Sequence, residues 1–135
     1  MRICCLIISM LSMIILISCG GGNTKKDTSA GKALYATYCQ GCHMEDGKGV
    51  PAMNASLAGS AYVAGDKDKL VHIVLEGSTA FGNDPSRSYK NIMAGFPGLK
   101  EEEIAEILTY VRSSFGNNGS EVTTGDVRSA KEKKN

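Results

Sequence analysis

The sequence has no tryptophan, only 3 prolines, and aromatic residues make up just 6% of it. A small chain with so few large rings has little from which to build a core. Domains of this size often draw stability from a metal, a disulfide or a buried cofactor. An excess of one charge is also missing, since 15 basic residues face 14 acidic ones. That balance removes the electrostatic case for a nucleic-acid partner or an acidic substrate. No stretch alternates apolar and polar residues as a half-buried strand does, and no unit repeats. Nor is there an unbroken apolar run of the about 20 residues that a membrane-spanning helix needs.

What the chain does hold begins with "MRICCLIISMLSMIILISCGGGN". Arg2 precedes an apolar run from Ile3 to Ile17, broken only by Ser9 and Ser12, in the layout of a secretory signal. Leu16-Ile17-Ser18-Cys19 resembles the bacterial lipoprotein box, where cleavage falls before the cysteine and the cysteine carries lipid. The expectation is therefore a signal over residues 1–18, lipid on Cys19, and a flexible polar tether over residues 19–30. An uncleaved signal anchor is the alternative. The 5 cysteines then sort by role. Cys4 and Cys5 leave with the signal and Cys19 takes lipid. Cys39 and Cys42 remain for chemistry outside the cytoplasm, where free paired thiols tend to oxidise.

Those two stand in "YCQGCH", residues 38–43, and three chemistries compete for them. Structural zinc wants four ligands, but only His43 and the distant His72 join the pair. His43 follows Cys42 too closely to close a tetrahedron easily. A dithiol switch usually opens a helix among strands, whereas this pair closes a helical stretch. Haem attachment fits best, because Cys-x-x-Cys-His is its signature. The spacing lets both sulfurs reach the vinyl groups on one porphyrin edge and carries His43 beneath the iron. Nε2 can then ligate while Nδ1–H donates to a backbone carbonyl.

A low-spin iron needs a sixth ligand, and Met44, Met53, Met93 and His72 are the candidates. Met44 adjoins His43 and cannot reach the opposite face. Met53 would have to follow a tight path around the ring. His72 lies in the apolar run "LVHIVLEG", where a packing or surface role is the simpler reading. Met93 lies in a loop with glycine and proline, just ahead of the best-defined helix, and can wrap the far side. Its soft, neutral sulfur favours ferrous iron.

Four helical stretches carry this cluster. The first spans about residues 30–42, with Leu34, Tyr35 and Tyr38 on one face. The second spans about 67–76, capped by Asp66 and ended by Gly77. The third spans about 101–114, with Ile104, Ile107, Leu108 and Val111 at helical spacing. Its first turn holds Glu101, Glu102 and Glu103, and Leu99 can staple to Ile104. The fourth spans about 124–131, with Thr123 and Asp126 as a capping box and Val122 and Val127 as a staple. The tail "KEKKN" is expected to fray. The class is all-α, with about three to five helices. Its long irregular loops make sense if they pack on a large buried cofactor.

These residues resemble the class I c-type cytochromes, the small monohaem electron carriers. The resemblance covers residues 31–116, with residues 117–135 as an extension bearing the short fourth helix. "GKALYATYCQGCHMEDGKGV" looks like the family's first helix and haem-binding segment. "MAGFPGLKEEEIAEILTYVRSSFG" looks like its axial-methionine loop and last helix. By resemblance, the first and last helices cross, with Gly31 and Tyr35 meeting Ile107 and Tyr110. The implied cofactor is one haem c on Cys39 and Cys42, ligated by His43 and Met93. Two departures stand out. Ala55 occupies the place of a proline whose carbonyl usually receives the histidine Nδ1–H, with Leu57 retained, and Ala94 replaces the proline that often follows the methionine. The extension resembles one found in members that work with periplasmic oxidoreductases such as nitrite reductases and quinoprotein dehydrogenases.

The implied function is single-electron shuttling by a protein held on a bacterial membrane by lipid on Cys19, facing the periplasm. It would serve a periplasmic reductase, oxidase or dehydrogenase, with no catalytic residue and no small-molecule substrate. The alternative is a haem-containing accessory subunit or sensor of a periplasmic oxidoreductase.

Overall fold

In the computed structural model, residues 27–81 and 89–133 are described. The expected signal, Cys19 and most of the tether lie outside them. Among the described residues six α-helices follow one another: α1 (Ser29–Tyr38), α2 (Gln40–His43), α3 (Ala61–Ala64), α4 (Lys67–Glu76), α5 (Glu101–Ser113) and α6 (Thr124–Lys133). A 3-10 turn, Gly77–Phe81, extends α4. Among the described residues no strand forms, and β pairing is limited to an isolated bridge between Val50 and Asn54. No helix among them is long and apolar enough to cross a membrane.

The frame of the molecule is the crossing of α1 over α5. Glycine inside a helix costs about 1 kcal/mol relative to alanine, yet Gly31 is buried in α1. The reason is steric, since a Cβ there would lie 2.2 Å from the Glu106 carbonyl oxygen and 2.8 Å from the Tyr110 Cβ. One turn on, the Tyr35 ring stacks at 5.4 Å from Tyr110 and 5.3 Å from Phe115. The crossing expected from the resemblance is thus present, with Glu106 and Tyr110 at the point of closest approach.

α5 buries Ile104, Ala105, Ile107, Leu108 and Val111. The Glu103 carboxylate turns back to accept the Lys100 N–H at 2.8 Å, and Leu99 and Ile104 are both buried across the helix start. α4 lays Leu70, Val71 and Val74 on the same core. Its start is capped by Asp66, which accepts from the Lys69 N–H at 3.1 Å.

α6 packs on both α4 and α5. Thr123 and Asp126 form the reciprocal cap, with the Thr123 N–H to Asp126 at 2.8 Å and the Asp126 N–H to Thr123 Oγ1 at 3.1 Å. The Thr123 N–H, helped by Lys67, holds the Asp126 carboxyl down to about 2. Val122, Val127 and Ala130 are fully buried, and each valine contributes about 1.5 kcal/mol of apolar burial. Residues beyond 116 therefore share the core of the domain. The tail expected to fray is helical through Lys133, whose ammonium meets the Asp68 carboxylate.

One element differs from its expected shape. The first helical stretch is broken at Cys39, where φ is −117° and ψ −35°, and it restarts as the single turn α2. The Cys39 carbonyl accepts both the Cys42 N–H at 3.1 Å and the His43 N–H at 2.9 Å. This tighter winding leaves Cys39 half-buried against the core and Cys42 exposed. Periodicity alone runs straight through such a kink, because no proline marks it.

Candidate haem-attachment site

α2 places Cys42 and His43 one turn beyond Cys39. His43 is only 9% exposed. Its Nδ1 lies 2.9 Å from the Ala55 carbonyl oxygen. A carbonyl can only accept, so Nδ1 carries the proton and Nε2 keeps its lone pair for a metal. Alanine thus supplies the acceptor at the position where the resemblance implied a proline.

The loop that carries Ala55 is held on several sides. The Gly47 carbonyl accepts from Leu57 N–H at 2.7 Å and Ala58 N–H at 3.2 Å, and the Gly49 N–H donates to the His43 carbonyl at 3.0 Å. The buried Tyr35 hydroxyl donates to the Met44 carbonyl at 2.7 Å. Burial, first of all, pushes the Tyr35 hydroxyl up from its ordinary value. Asn117 acts from beyond α5. Its Nδ2 donates to the Leu57 carbonyl at 3.0 Å and the Val111 carbonyl at 2.9 Å, while its Oδ1 accepts the Gly59 N–H at 2.9 Å.

Met93 lies half-buried in the segment leading to α5. Its N–H donates to Ser78 Oγ at 2.7 Å, and its carbonyl accepts the Ser78 N–H at 2.9 Å. Just upstream, the Lys90 N–H donates to Ala52 at 3.0 Å and the Asn91 N–H to Met53 at 3.1 Å. The Asn91 side-chain amide adds a bond to Asn54 Oδ1 at 3.1 Å. The loop that fixes His43 through Ala55 therefore also receives the segment that carries Met93. This shared loop connects the two residues.

The other ligand candidates lie on other segments. Met44 is exposed and has φ +62°. Met53 is half-buried in the His43 loop. His72 projects from α4 with Nδ1 2.8 Å from Glu76 Oε1.

The three chemistries now separate. Among the described residues no three His, Cys, Asp or Glu side chains gather as a metal site would require, which leaves zinc without a ligand set. Burial, with a smaller push from Cys42, raises the Cys39 thiol to about 11. A redox-active dithiol depends on the opposite shift, toward thiolate. A covalently bound haem fits the arrangement: two free thiols a turn apart, and a histidine with Nδ1 engaged and Nε2 available.

Sequence reasoning missed Ser78 and Asn117. Ser78 had a weak local signal, because it follows the glycine that ends α4. Asn117 had none, since the two partners that tie it to the loop lie about 60 positions away in the chain.

Comparison with known proteins agrees with this reading. The profile of the cytochrome c family matches residues 28–115. A cytochrome c-552 of Thermus thermophilus is 33% identical over 92 residues, 64% of this chain and 68% of that protein. The gluconate 2-dehydrogenase cytochrome c subunit of Pantoea cypripedii is 31% identical over 106 residues, 76% of this chain but only 24% of that protein. The cytochrome c subunit of a quinone-dependent alcohol dehydrogenase from Gluconobacter oxydans is 35% identical over 97 residues, 67% of this chain and 19% of that protein.

Proposed function

Because this chain belongs to the cytochrome c family and is an electron carrier rather than an enzyme, we propose that it carries single electrons from a membrane surface, anchored by lipid on Cys19, with His43 and Met93 as the iron ligands. Cys39 and Cys42 match the covalent attachment pattern for one haem c. The bound haem supplies a one-electron couple, and the chain tunes it through ligation, burial and hydrogen bonding.

The observation that carries the ligand assignment is the His43 ring. It is buried, and its Nδ1 is held on Ala55 at 2.9 Å. That bond orients the ring and makes Nε2 the better donor. Met93, its backbone clamped by Ser78, would supply a soft, neutral sulfur, which raises the potential relative to a nitrogen or oxygen ligand. With His43 and Met93 both holding the iron, the chain would leave no position open for a substrate.

Met93→Ala tests this. Haem should stay attached, the sulfur-to-iron absorption band should vanish, and the potential should fall by on the order of 0.1 V or more, within the span that axial ligands command. A retained band would assign the sixth position elsewhere.

Tethering by Cys19 would confine the carrier near membrane-bound donors and acceptors and raise its effective concentration there. The signal layout supports export, with the domain facing the periplasm. Cys19→Ala should move the protein from the membrane fraction to the soluble fraction; retention on the membrane would favour an uncleaved anchor. A periplasmic dehydrogenase, reductase or oxidase is the partner class proposed. A second reading, a fixed cytochrome subunit of a dehydrogenase, is favoured by the dehydrogenase subunits among the relatives. Purification with one dehydrogenase at constant stoichiometry would select it over a free shuttle.

A further inference from the structure

We propose that Ser78 is a positioning residue for the axial methionine, holding the Met93 segment closed so that its sulfur stays on the iron. This rests on the assignment of Met93 as ligand given above. Ser78 engages both polar groups of the Met93 backbone, through its hydroxyl oxygen at 2.7 Å and its own N–H at 2.9 Å. The nearest flanking anchors are the Asn91 N–H on Met53 at 3.1 Å and the Phe96 N–H on Val74 at 2.8 Å. Between them, Ser78 grips the chain at the ligand itself.

The approach is close because Gly77 and Gly95 have no side chains. A Cβ on Gly77 would lie 2.1 Å from the Met93 carbonyl oxygen, and one on Gly95 would lie 2.5 Å from the Leu75 carbonyl oxygen. The Met93 segment thus runs backbone against backbone along the end of α4. Thr79 is the natural contrast. Its hydroxyl sits in the same 3-10 turn but donates to the Glu76 carbonyl at 2.7 Å, within the local chain.

The consequence follows from linked equilibria. A thioether holds ferric iron weakly, so an external nitrogen ligand binds by capturing the open form of the loop. Its apparent affinity scales with the population of that form. Deleting a hydrogen bond to a half-buried N–H raises the open population by about tenfold.

The test uses the full-length, haem-loaded protein in the ferric state and imidazole as the probe. Ser78→Ala should keep the sulfur-to-iron band in the absence of added ligand and bind imidazole about tenfold more tightly. Ser78→Thr, which keeps the hydroxyl, should restore the parent values, and Thr79→Ala should leave them unchanged. Imidazole affinity within about twofold of the parent in Ser78→Ala, or an equal gain in Thr79→Ala, would overturn the proposal. These outcomes stay distinct from failure of the ligand assignment, which Met93→Ala reports by itself: the band survives there only if Met93 is not the ligand.

Discussion

Gly77→Ala should remove the proposed methionine ligation without touching any residue proposed to bond iron. Gly77 has φ +64° and ψ −140°, a region open in practice to glycine alone. Strain alone costs about 1–3 kcal/mol for another residue. The contacts add more, because the new Cβ would meet Met93 O at 2.1 Å and both Ala94 C and Gly95 N at 2.7 Å. All three are backbone atoms, so no side chain can rotate away. The segment carrying Met93 must shift outward, and both bonds to Ser78 break with it. The helix itself should survive, since Leu70, Val71 and Val74 still face the core. The expected result is a haem protein that has lost its sulfur-to-iron band and about 3 kcal/mol of stability. A parent-like spectrum with an unchanged melting temperature would show that the segment yields at no cost.

Arg112→Met should cause the largest loss of stability away from the site. Arg112 is 4% exposed, and its guanidinium is held by backbone carbonyls and the Ser120 hydroxyl. Its guanidinium donates to Val63 O at 2.6 Å, Gly65 O at 3.0 Å and Ser120 O at 2.8 Å. The planar fork thus joins α5 to the end of α3 and to the strand-free connection before α6. Methionine fills much of the volume but supplies no donor. Three carbonyls, that of Val63 buried and those of Gly65 and Ser120 part-buried, would lose their charged partner, and bonds to a charged group are worth about 1.5–3 kcal/mol each. Allowing for relaxation and water entry, the expected loss is about 3–5 kcal/mol, or about 15 °C or more in thermal unfolding. Arg112→Lys should fall between, because a point charge keeps one partner and lacks the fork. A drop of under about 1 kcal/mol in Arg112→Met would show that water replaces the guanidinium freely.

Patterns of short range are legible in the order of residues alone. The CxxCH cluster, the apolar stripe of α5, the Asp66 cap and the Thr123–Asp126 box each place their signal within a few residues. Local backbone geometry makes those residues neighbours whatever the rest of the chain does. Harder to read is the break at Cys39, since helical periodicity looks the same across a kink of one residue. The share of the core held by Val122 and Val127 is visible in the sequence only as a staple, because α6 alone does not reveal what its apolar face meets.

Residue identity and spacing suffice for the attachment chemistry, the helix starts and the all-α class. How the two sides of the site are held emerges only in the folded chain. Ser78 grips Met93 across 15 positions, Asn117 holds the loop beyond Ala55, and Arg112 knits α5 to segments on either side. The physical reason is common to all three. A serine, an asparagine or an arginine has polar groups that suit many partners, and tertiary packing selects which buried carbonyl or N–H each one must satisfy.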